Sequence, residues 1–187
     1  MNIDLIKSKS ADIMKSACDD YQALRSADKK AKAEMINPGE LMGYPSYSNF
    51  YDADYRDRCD AVLSEHRAKM HDLLDEVRTE IKTRSAEPPT NEQANLLTVL
   101  SIGKPTQEEL QNALDKNCNN FATFSAIHRI ATENDMHLDE RKNPLNDLQN
   151  LQRELANNET SLYTENADKR LSASYQSFAE LFENVFS

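Results

Sequence analysis

Residues 52–85, DADYRDRCDAVLSEHRAKMHDLLDEVRTEIKTRS, contain neither glycine nor proline, and no other feature of the sequence narrows the fold so far. Nothing in that stretch interrupts a helix. At about 1.5 Å per residue the helix would run to roughly 50 Å, more than the width of a small domain. Apolar residues recur at Tyr55, Cys59, Leu63, Met70, Leu73, Val77 and Ile81 in steps of three, four and seven, which gathers them on one face. The rest of the surface carries Asp52–Arg56, Asp54–Arg58, Glu65–Lys69 and Glu80–Arg84, each acid four residues ahead of its base, the favourable order for exposed helical pairs. Asp52 and Asp54 at its start and Lys82 and Arg84 at its end suit the macrodipole.

A first long helix is expected over 4–36, where Met14, Ala17, Tyr21, Leu24, Asp28, Ala31 and Met35 form a coiled-coil-like seam with Asp28 alone out of character. Pro38-Gly39 stops it, so the two helices are expected to fold back as a long antiparallel hairpin. Pairing between chains, giving a homo-oligomer, is the other use of such a seam. The intervening loop, 38–51, is dense in aromatics. Tyr44, Tyr47, Phe50 and Tyr51 are therefore candidate protein-binding residues at the hairpin tip, since tyrosine supplies contact area at low entropic cost. The plainer reading is that they cap the hairpin's own core.

Pro88-Pro89 ends the spine and opens a three-helix module over 88–138. Thr90 or Asn91 caps a helix carrying Leu96, Leu97, Val99 and Leu100, and Gly103-Lys104-Pro105 turns the chain. Thr106 with Glu109 forms a capping box before Leu110, Ala113 and Leu114. A third helix over 121–134 turns Phe124, Ile127, His128, Ile130 and Ala131 inward. The last third, 139–187, starts a helix near Pro144 with Leu145, Leu148, Leu151 and Leu155 at helical spacing. Over 159–170 the pattern weakens to Leu162, Tyr163 and Ala167, which predicts a kink or a flexible joint. A C-terminal amphipathic helix over 171–186 then presents Tyr175, Phe178, Phe182 and Phe186, candidate protein-binding residues of the helix-in-groove kind. Folding back onto the first hairpin is the alternative for that face. The expected protein is thus all-α: a helical hairpin over 1–87, a three-helix module over 88–138 and a C-terminal helical segment over 139–187.

Composition narrows the function classes. Three glycines and no tryptophan in 187 residues argue against β folds and nucleotide-binding α/β folds, which need glycine at turns and phosphate loops. A net charge of −10 opposes nucleic acid and anionic membrane as partners. The second and third short helices invite a helix-turn-helix reading, but seven acids against three bases between 86 and 136 leave the module at −4, the wrong sign for phosphate. Cys18, Cys59 and Cys118, odd in number and widely spaced, read as reduced core thiols. His66 and His71 are five residues apart rather than the four that converge on one metal. With no nucleophile elbow, phosphate loop or acid–base pair readable, neither an enzyme nor a cofactor is expected. The sequence lacks a secretory leader and an apolar span, so a cytoplasmic location is expected.

The run PPTNEQANLLTVLSIGKPTQEELQNALDKNCNNFATFSAIHRIATENDMH resembles a segment of structural or assembly proteins of tailed bacteriophages, in which three capped helices follow a long helical part. The matching positions are Pro89-Thr90-Asn91-Glu92, Thr106-Gln107-Glu108-Glu109-Leu110 and Asn119-Asn120-Phe121. The resemblance implies a virion or morphogenesis component, with capsid, portal or tail proteins as partners, in the host cytoplasm or the virion. A rival of a different class is a small acidic regulatory protein that occupies a partner's basic groove.

Overall fold

A computed structural model describes residues 1–35, 45–167 and 169–171, with side chains described over 1–31, 54–167 and 169–171. Among the described residues every regular element is helical, and the all-α class read from the sequence holds. The elements are α1 (Ile3–Met35), α2 (Pro45–Ser85), α3 (Asn91–Ile102), α4 (Gln107–Asn117), α5 (Phe121–Glu133) and α6 (Asn146–Ser161), followed by helical backbone at 164–167 and 169–171. No helix among the described residues is long and apolar enough to cross a membrane.

The spine is longer than its charge pattern suggests. It starts at Pro45, so Tyr47, Phe50 and Tyr51, expected on a loop, lie on helical backbone. The physical reason is that Pro45 occupies the first turn, where its fixed φ suits a helix and its missing N–H costs nothing. No glycine or proline from 46 to 85 interrupts the helix it opens. Along its surface the pairs Asp54–Arg58 (3.0 Å), Glu65–Lys69 (2.6 Å) and Glu80–Arg84 (2.8 Å) are formed. Cys59, Leu63, Met70, Leu73 and Val77 are buried as their spacing predicts, while Tyr55 and Ile81 are half-buried. His66 and Leu74 join them in the interior. On α1, the seam positions Ala17, Tyr21 and Asp28 are buried and Met14, Leu24 and Ala31 are half-buried.

The chain divides into two compact units, one made of Met1 and 75–152, the other of 2–74 with the chain from 153 on. The first holds the module of α3, α4 and α5. Leu100, Leu110, Ala113, Leu114, Ile127, Ile130, Ala131 and Leu138 form its core, and Leu96, Leu97, Phe124 and Met136 pack against it. Its helix ends are specified locally. Thr90 and Gln93 close one capping box and Thr106 and Glu109 another, each side chain satisfying the other residue's backbone N–H. At the end of α5 the chain enters the left-handed region at Asp135 (φ 55°), and the Met136 N–H returns to the Ala131 carbonyl at 2.9 Å. This is the Schellman arrangement, with Met136 as its apolar follower on the core. The strap after α5 is tied to α4 by the Asp139 N–H donating to Gln111 (2.8 Å) and by Arg141 pairing with Asp115 (2.8 Å).

Asn120 does two jobs in this unit. Its side-chain carbonyl caps α5, accepting from the Thr123 N–H (2.9 Å) and hydroxyl (3.0 Å), while its amide donates to the carbonyls of Glu87 and Pro88 in the linker before α3. Asn120→Ala removes a cap and leaves buried polar groups without partners, so a loss of about 2 kcal/mol is expected in urea unfolding. Asn120→Ser keeps a capping oxygen and is expected to lose about half of that.

In the second unit, Ile6, Ala17, Cys18 and Tyr21 of α1, Cys59, Leu63, Met70 and Leu74 of α2, Leu155 of α6, and Leu162, Ala167 and Leu171 beyond it are buried. A polar relay runs through this interior. Asn158 donates to the Ser10 hydroxyl (3.1 Å), and that hydroxyl donates to the Met70 sulfur (3.5 Å), joining α6, α1 and α2. His66, 5% exposed, meets Asp20 of α1 at 2.8 Å, and His71 meets Glu159 of α6 at 2.9 Å. The two histidines thus serve separate carboxylates.

Candidate protein-interaction surface

The joint expected over 159–170 is a real break in the helix. α6 ends at Ser161, the chain turns at Leu162 and Tyr163, and helix resumes at Thr164. It is also firmly held. Leu162 and Ala167 are fully buried, the Asn166 amide donates to the Thr160 carbonyl (3.1 Å), and Arg170 donates to the Ser161 hydroxyl (3.2 Å). Tyr163 departs from expectation: read as a burial candidate, it is 51% exposed. At the turn the helical period no longer applies, so the ring next to a buried leucine is carried outward.

The turn docks on α2 through Arg67. Its Nη1 donates to Asp60 at 2.7 Å and lies 3.5 Å from the Leu162 carbonyl, and its guanidinium stands 4.9 Å from the Tyr163 ring centroid. The Thr164 hydroxyl donates to the same Asp60 oxygen at 3.1 Å. These hydrogen bonds, Arg67 first and Thr164 second, hold the Asp60 carboxyl below its ordinary value. A carboxylate with a depressed folded pKa contributes its full stabilisation above the ordinary value near ~4 and loses it as pH falls through the folded value. Acidification through the folded value is therefore expected to weaken the bonds of Arg67 and Thr164 to Asp60, with the turn still held by Leu162 and Ala167. The loss should be visible as a pH-dependent change in the Tyr163 ring resonances, and Asp60→Asn should abolish that dependence.

Beside this clamp lies an open hollow of about 960 Å³, lined by Tyr21, Tyr55, Arg56, Asp57, Cys59 and Asp60 from α1 and α2 and by residues 163–166 from the turn. Among the described residues its wall holds the exposed Tyr163, the half-buried Tyr55 and an edge of the buried Tyr21, with the carboxylates of Asp57, Asp60 and Glu165 and the amide and hydroxyl of Asn166 and Thr164. Rigid aromatic area interleaved with short polar groups is the composition of protein-binding surfaces. The first unit contributes a smaller exposed feature: Val99 and Ile102 of α3 are 68% and 82% exposed. They lie on the side of α3 away from Leu100, which faces the core.

Of the sequence-predicted binding residues, Tyr44, Tyr175, Phe178, Phe182 and Phe186 lie outside the described residues, as do the side chains of Tyr47, Phe50 and Tyr51. The hollow draws instead on Tyr21, Tyr55 and Tyr163, which are far apart along the chain. Spacing marks Tyr21 and Tyr55 as helix-face residues, but no local signal joins either to Tyr163. Compared with protein families, with curated proteins and with solved structures, the chain matches none.

Proposed function

We propose that this chain is a non-enzymatic interaction protein that works through helix–helix contacts, with the tyrosine-lined hollow as one of its binding surfaces. The observation that carries the reading is the exposed Tyr163, fixed in place by Arg67, Asp60 and Thr164 at the edge of a hollow large enough for a partner's side chains. A ring whose position is already set loses little entropy on binding, which favours it as an anchor. α1 and α2 form an antiparallel hairpin in this proposal. Asp20 reaches His66 while Ser10 reaches Met70, so moving back along α1 means moving forward along α2. The resemblance of 88–137 to phage proteins makes a virion or morphogenesis component the favoured biological setting, acting in the host cytoplasm or the particle.

The acidic-regulator reading is supported by the net charge of −10. Ionic strength separates the two: an electrostatic mimic loses its partner steeply with salt, and docking through tyrosines does not. The direct test places a photo-crosslinking phenylalanine analogue at position 163 of the full-length chain in its native host. Adducts with a virion or assembly protein are expected at 163 and not at an exposed control such as Arg129. Equal labelling at both sites, or none at 163, would overturn the proposal.

A further inference from the structure

We infer that the hollow receives an arginine side chain from the partner segment. This rests on the reading of the hollow as an interaction surface. The chain's own Arg67 displays the chemistry the site favours. Its guanidinium lies across the Tyr163 ring at 4.9 Å and donates to Asp60 at 2.7 Å, a planar cation held between an aromatic face and a carboxylate. Arg67 is 18% exposed and closes its own side of that ring, yet Tyr163 keeps 51% of its surface in water. The elements needed for a second such arrangement line the same hollow: the rest of the Tyr163 ring, the half-buried Tyr55, and the exposed carboxylates of Asp57 and Glu165.

The charge balance points the same way. Among the described residues of the lining, Asp60 is matched by Arg67, which leaves Asp57 and Glu165 against Arg56. A cationic side chain from a partner completes that balance. Arginine fits better than lysine because the guanidinium is planar, stacks on tyrosine and presents a fork of donors to a carboxylate, whereas an ammonium is a strongly hydrated point charge. The hollow, about 960 Å³, has room for that side chain and the helical turn carrying it.

The test uses the full-length protein and a displayed library of random 16-residue peptides. Binders should be enriched in arginine, and in the best of them Arg→Gln should weaken Kd about 10-fold and Arg→Lys nearly as much. Asp57→Asn with Glu165→Gln, two exposed changes whose folding is checked by thermal melting, should produce the same loss. Binders with no excess of arginine that nonetheless lose affinity for Tyr163→Leu would overturn the arginine inference and leave the interaction surface standing. Binders indifferent to Tyr163→Leu would overturn both.

Discussion

Leu114→Ala is expected to destabilise the module of α3, α4 and α5 by about 3 kcal/mol, within the range for truncating a fully buried leucine. Leu114 is 0% exposed and shares its core with Leu110 and Ile127, also at 0%. Part of the loss is the transfer of its side-chain carbons; the rest is the cavity left behind, which neighbours on three short capped helices cannot collapse to fill. Urea unfolding should show a lower midpoint with unchanged slope. Val99→Ala, 68% exposed on the same unit, is expected to stay within about 0.5 kcal/mol of the parent. Similar losses for the two variants would mean that this core is not packed as described.

Leu171→Ala is expected to cost a similar amount, about 3 kcal/mol, in the second unit. The sequence places Leu171 at the start of a helix that follows a weak polar joint, where a small effect would be natural. The structure buries it completely, and its carbonyl accepts from the Cys18 thiol at 3.3 Å. Burial pushes the Cys18 thiol up, which keeps it a protonated donor at neutral pH. Leu162 and Ala167, also at 0% exposure, secure the chain that leads to this contact. A thermal melt that moves no further for Leu171→Ala than for Leu5→Ala, whose side chain is 51% exposed, would show that the segment after α6 is not part of the unit's core.

Local sequence determined the helices and most of their ends. The three-four spacing of Cys59, Leu63, Met70, Leu73 and Val77 identifies the buried face of α2 because a helix has one face to bury. Thr106 with Glu109 marks the start of α4 because a capping box is made within four residues. The start of α2 at Pro45 is not legible in the same way, because a proline followed by tyrosines and serines reads equally as a loop or a first turn.

What tertiary structure alone decided is which distant faces meet. Spacing puts His66 between Leu63 and Met70 on the inner face of α2, but only the approach of α1 supplies Asp20 as its partner. The same pattern sets Tyr163 inward, yet the turn after Ser161 directs it to water and brings Arg67, from the middle of α2, against its ring. No periodicity encodes that meeting. The proposed interaction surface is made by residues each held in place by its own helix or turn, and its chemistry exists only where α2 and the chain beyond α6 come together, since side-chain contact depends on distance in space and local pattern reports distance along the chain.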